Sequence, residues 1–104
     1  MPTTVIDPVL GTGSPAPLGS AALSQQKILK MVAYNPTGAT VAIKVFIVPS
    51  GQSADDLHCY VDYDLEDRET YLCPEVVGYV INTGGDIEVQ GTGVSFSAIT
   101  NNVT

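Results

Sequence analysis

Tryptophan is absent from this chain, histidine occurs once, at His58, and lysine and arginine together occur four times among 104 residues. Without tryptophan there is no indole platform for a sugar ring, and a lone histidine leaves few ways to assemble general-base catalysis. Four cations, Lys27, Lys30, Lys44 and Arg68, stand against eleven carboxylates, for a net charge of -7. Such a chain has no phosphate-tracking surface, so neither nucleic acid nor an anionic membrane is an expected partner. Cys59 and Cys73 are too few for a disulfide scaffold. They and His58 show no CxxC or HxxxH spacing, so a structural zinc site is not expected. The longest apolar runs, such as residues 41–48 around Lys44, are too short to span a bilayer. The N-terminus lacks the basic and apolar regions of a signal peptide, so the expectation is a soluble product made in the cytoplasm with reduced thiols. The sequon Asn102-Val103-Thr104 has no meaning without secretion.

What the chain does contain is an unusual beginning. Residues 1–24 carry four prolines (Pro2, Pro8, Pro15, Pro17), three glycines and a single charge, Asp7. Proline fixes φ and lacks the N–H, which rules out a helix or a central strand here. Yet Val5, Ile6, Val9, Leu10, Leu18 and Leu23 make the segment apolar, whereas disordered linkers are polar or charged. An extended apolar arm that orders by docking on a neighbouring subunit is therefore expected, with a reach on the order of 80 Å. The division is an arm over 1–24 and a β-domain over 25–104, small enough that association would assist its core. Removing the arm is expected to leave that domain folded.

After the arm, turn chemistry recurs at Asn35-Pro36-Thr37-Gly38, Pro49-Ser50-Gly51-Gln52, Asn82-Thr83-Gly84-Gly85-Asp86 and Gly91-Thr92-Gly93, with β-branched or aromatic runs between. No stretch holds a helical period with caps. Strands are predicted near 27–34, 40–48, 57–65, 69–73, 76–81, 86–90 and 94–100, an all-β two-sheet antiparallel sandwich of jelly-roll or Ig-like type. In the third, Leu57, Cys59, Val61, Tyr63 and Leu65 alternate with His58, Tyr60, Asp62, Asp64 and Glu66, so one face is core and the other wet. The second is different: Ala42, Phe46 and Val48 make its outer face apolar as well, interrupted by Lys44. The strands near 28–34 and 76–81 are also apolar on both sides. A sandwich buries one face of each strand, so a second cover is expected from another copy or another chain's arm.

No enzyme signal emerges. His58 and Cys59, adjacent on a strand, point to opposite faces and cannot form a nucleophile–base pair. The Asp62-x-Asp64-x-Glu66 run lacks the glycine of an EF-hand loop and has Cys73 where its final carboxylate belongs, so the acids from Asp55 to Glu69 read as a solvated edge that repels stray strands. Gly11-x-Gly13-x-x-Ala16 matches a degenerate dinucleotide fingerprint, but Pro15 and Pro17 forbid the helix that must follow. No cofactor is expected. A two-residue loop at Asp67-Arg68 would place Cys59 and Cys73 on opposite faces, and a three-residue loop centred on Glu66 would bring them together. Both registers stay open, and the thiols are expected to be free and at least partly buried.

From Lys27 onward the chain resembles small β-sandwich proteins found in the virions of tailed bacteriophages. The resemblance is carried by residues 27–34 running into Asn35-Pro36-Thr37-Gly38, by the strand over 40–48 with Pro49-Ser50-Gly51, by Gly85-Asp86-x-Glu88 and by the strand from Val94 to Ile99. Where similar proteins often have a Gly-Glu-Thr turn, this chain has Asp67-Arg68-Glu69-Thr70. The resemblance implies an architectural role: a capsid decoration or cement protein on the virion surface, partnered by the major capsid protein and forming a homo-oligomer, with a trimer favoured. The expected contact residues are Val5, Ile6, Val9, Leu10, Pro15, Pro17, Leu18 and Leu23 in the arm, and Ala42, Phe46 and Val48 on the sheet. A tail, collar or spike component is the alternative. A host-glycan module built on Tyr60, Asp62 and Asp64 is a third reading.

Overall fold

The computed structural model describes residues 3–19 and 22–103, with the backbone alone for Thr3, Thr4 and Asp7. Among the described residues nine strands form two antiparallel sheets packed as a sandwich. The strands are β1 (Thr3–Leu10), β2 (Ala16–Pro17), β3 (Gln26–Tyr34), β4 (Val41–Val48), β5 (Cys59–Leu65), β6 (Thr70–Tyr71), β7 (Val80–Ile81), β8 (Asp86–Gln90) and β9 (Ser95–Asn102). Sheet A runs β1-β9-β3-β6, with β7 also on β3, and sheet B runs β2-β8-β4-β5. The core lies between them, where Ile28, Met31, Ile43, Val45, Leu65, Ile87, Val89 and Phe96 are all but fully buried. Among the described residues no helix is long and apolar enough to cross a membrane.

The predicted strands near 27–34, 40–48, 86–90 and 94–100 form with small shifts at their ends. Local periodicity is strong there: in β9, Phe96, Ala98 and Thr100 are buried while Ser95, Ser97 and Ile99 are not. The strand predicted over 57–65 begins at Cys59, because Asp55 caps a 3-10 turn over Asp56–His58 by accepting the Leu57 amide at 3.1 Å. Leu57 is left 88 % exposed. The stretch 76–81 is mostly turn, with only Val80–Ile81 in the sheet, where Val80 pairs with Lys27.

The arm departs most from expectation. It lies on its own domain and supplies an edge strand to each sheet: β1 pairs with β9, and β2 pairs with β8. The prolines sit where edge strands tolerate them, Pro8 at the register shift between Ile6 and Val9 and Pro17 at the outer margin of sheet B. Leu18 is 1 % exposed within the core, and Ile6 and Val9 pack against that core. Pro15 is half-buried, whereas Val5, Leu10, Pro17 and Leu23 are exposed. The physical reason is proximity. The open edges of β8 and β9 belong to the same chain and offer the arm the apolar surface that a neighbour was expected to provide. Between the two edge strands the chain crosses from one sheet to the other at Gly11, whose amide donates to Val94 O at 2.8 Å. A Cβ there would come within 2.3 Å of Gly91 O and 2.8 Å of Phe96 Cε2, so the crossing requires glycine.

A second correction concerns the sheet contact residues. Ala42 is exposed as expected, but Phe46 and Val48 are each only 3 % exposed, on the face of β4 opposite the core. Both are buried within the single chain, so they do not form an open contact surface awaiting another copy.

A third correction concerns the hairpin. β5 and β6 do not pair; β5 belongs to sheet B and β6 to sheet A. The turn between them, closed by Glu69 N donating to Glu66 O at 3.0 Å with Arg68 at φ 63°, carries the chain from one sheet to the other. Asn35 holds it there. Its Nδ2 donates to Leu65 O at 2.8 Å and Ala39 O at 2.7 Å, while its Oδ1 accepts from Thr37 N and Thr37 Oγ1. Its backbone N–H and C=O bond Glu69 O and Arg68 N. This fully buried asparagine has every polar group satisfied and locks two turns together.

Candidate interaction surfaces

The two open sides of the sandwich are closed by different chemistry. On the side of β5 and β6, Tyr63 stacks on Tyr71 with ring centroids 4.1 Å apart and planes 8° from parallel. Tyr60 meets Tyr79 edge-on at 4.7 Å. The Tyr63 hydroxyl donates to Glu69 Oε2 at 2.6 Å and the Tyr71 hydroxyl to Glu75 Oε2 at 2.6 Å. The hydrogen bond to Glu69 raises the Tyr63 hydroxyl above its ordinary range and lowers the Glu69 carboxyl, whereas burial is the larger cause of the rise at Tyr71. Tyr60, which the sequence places on the wet face of its strand, is half-buried and packs against the core. Asp62 and Asp64 point outward from β5 and are exposed. This edge is therefore guarded by charge.

On the opposite side, the arm forms the boundary. β1 has one ladder partner among the described strands, β9, so its far side is open. Val5 and Leu10, which pair with Ile99 and Ser95, turn away from the core and are 67 % and 65 % exposed. Leu23 is 95 % exposed. A notch of about 490 Å³ opens between the arm's two strands and the sheets, walled by Val5, Ile6, Val9, Leu18, Leu23 and Ile87, with Thr100 at its polar end. The Thr100 hydroxyl donates to Gln26 Oε1 at 3.1 Å, and Gln26 Nε2 in turn donates to Ser24 and Asn102.

The cysteines and the histidine are placed apart. Cys59 and Cys73 are free, the first half-buried and the second buried. Burial pushes both thiols up, that of Cys73 to about 12, so both are protonated at neutral pH and poor nucleophiles. His58 Nδ1 lies 2.8 Å from Asp55 Oδ1 and 3.1 Å from Ser53 O, which makes it part of the 3-10 turn. Among the described residues no group of three or more His, Cys, Asp and Glu side chains is placed to hold a metal ion.

Asp86 and Glu88 share the outer face of β8, beside the buried Val48 and Phe46 with which they are in register. Burial raises both carboxyls, and at Glu88 the neighbouring Asp86 raises it further. A carboxyl raised on folding stabilises the fold below the ordinary carboxylate range, and that contribution is lost as pH rises through the folded value. Glu88→Gln is therefore expected to raise the melting temperature at about pH 7, with the gain vanishing below about pH 4. Calorimetry at the two pH values checks this; a lower melting temperature for the variant at neutral pH contradicts it.

Compared with known proteins, the chain matches no family model, no curated protein and no solved structure.

Proposed function

We propose that this protein is a structural component of a tailed-phage virion, of the capsid decoration or cement kind, self-associating and bound to the major capsid protein on the outer shell. The observation that supports this reading is the asymmetry of the two edges. Proteins guard exposed strand edges with charge, and β5 is guarded by Asp62 and Asp64. β1 instead presents Val5 and Leu10 beside an apolar notch and the exposed Leu23. Pro8 and the register shift beside it interrupt the outer N–H row, so a partner engages this edge through side chains more than through a continuous ladder. The arm thus contributes to assembly from its docked position as the apolar margin of a folded sandwich.

The triple variant Val5→Asp, Leu10→Asp, Leu23→Asp tests this in co-sedimentation with capsids stripped of the protein. All three positions are exposed, so the variant is expected to fold and to stay in the supernatant. Pelleting equal to that of the unmodified protein overturns the reading. Copy number separates it from a tail, collar or spike component, which would share the fold and occur few times per particle.

A further inference from the structure

The charges of the molecule are sorted by sheet. The strands of sheet A carry Lys27 and Lys30 with Asp7 of β1 as the one carboxylate in their sequence, while those of sheet B carry Asp62, Asp64, Asp86 and Glu88 against Lys44, which pairs with Asp62. The two lysines are three residues apart in sequence, a spacing that would place them on opposite faces of a regular strand. A register shift between Ile28 and Lys30 changes this: Lys27 pairs with Asn101 and Lys30 with Ile99, two residues apart on β9. Both lysines therefore stand on the outer face, separated by about 7 Å, the two-residue repeat of a strand. Asp62 and Asp64, two apart on β5 and both exposed, have the same repeat.

We infer that the outer face of sheet A docks on the β5 side of sheet B in a second copy of this chain, Lys27 and Lys30 meeting the partner's Asp62 and Asp64. The surface around the lysines suits such a contact. Val5, Val32 and Ile99 stand on the same outer face, which holds a shallow groove of about 250 Å³ lined by these three with Pro8, Lys30 and Ser97. On the acidic side, exposed Ala42 pairs with Asp64 and leaves room for the groove's rim. Charge also selects the mode. Two copies meeting by their A faces would oppose lysine to lysine, and two meeting by their B faces would oppose carboxylate to carboxylate. Only the unlike faces are complementary, so the contact is heterologous, and the rotation between successive copies sets whether it closes into a ring or runs on as a filament. This inference rests on the self-association part of the reading above and is independent of the virion.

Sedimentation of the full-length protein across a range of concentrations tests it. At low salt the mass is expected to rise with concentration, and to rise less at about 1 M salt, where the screening length is about 3 Å. Lys27→Glu with Lys30→Glu is expected to weaken association at least about tenfold, as is Asp62→Lys with Asp64→Lys. Mixing the two variants restores it, because the acidic A face of one then meets the basic B face of the other. All four positions are exposed, and Lys30→Gln is a milder variant should a reversal fail to fold. Oligomers that ignore charge reversal, a closed trimer among them, or a mixture that stays apart, overturn the docking and leave self-association standing. A monomer at every concentration overturns both.

Discussion

Removal of residues 1–24 is expected to abolish the cooperative unfolding transition of this protein, leaving a chain that aggregates or melts without a defined midpoint in circular dichroism. The segment takes with it β1, β2 and the buried Leu18, and it uncovers the edges of β9 and β8. Burial of a leucine alone contributes about 2–3 kcal/mol, and Ile6 and Val9 add to it, in a domain whose whole stability is about 5–15 kcal/mol. Point variants separate core from surface within the same arm. Leu18→Ala is expected to cost about 2–5 kcal/mol, whereas Leu23→Ala, 95 % exposed, should stay within about 0.5 kcal/mol. A truncated chain that melts cooperatively near the temperature of the full-length protein would mean that the arm binds outside the sandwich after all.

The second large effect is expected at Asn35. Alanine there removes four side-chain hydrogen bonds and strands Leu65 O, which the Nδ2 group satisfies in a buried site. Each buried polar group left without a partner costs about 1–3 kcal/mol, so Asn35→Ala should lose about 3 kcal/mol or more. For a domain of this size that is a fall of roughly 12–24 °C in melting temperature. Asn35→Asp keeps the acceptor but not the donors, and brings a charge towards the Leu65 and Ala39 carbonyls. It is expected to be at least as damaging. Thr37→Ala, which removes one donor at the exposed end of the turn, serves as the mild control. Thermal melts of the three variants give the ranking, and an Asn35→Ala protein as stable as the parent would refute the account of how the two turns are locked.

Asn35 also shows where sequence reading stops. As part of Asn35-Pro36-Thr37-Gly38 it reads as a turn residue, and it is one. Its bond to Leu65 O spans thirty positions of chain and has no local signature. The same holds for the tyrosines. The sequence places Tyr63 and Tyr71 on successive predicted strands joined by a short loop, but the turn at Glu66–Glu69 sends them to different sheets, and their stacking follows from the sheets closing. Phe46 and Val48 are legible as apolar outward residues of β4, while their burial within the single chain has no local signature. The lysine pair was hidden for the opposite reason: a three-residue spacing looks unpaired until the register shift in β3 is known.

The sequence by itself determined the class of this protein and its local geometry. Two-residue periodicity, turn residues and the absence of a helical period are short-range properties, and they specified an all-β sandwich with most of its strands. The prolines likewise confined the arm to strand edges. Which edges it took, and in which molecule, was a tertiary decision. Apolar extended chain gains the same free energy from any complementary edge, and only the folded sandwich shows that its own β8 and β9 present those edges within reach.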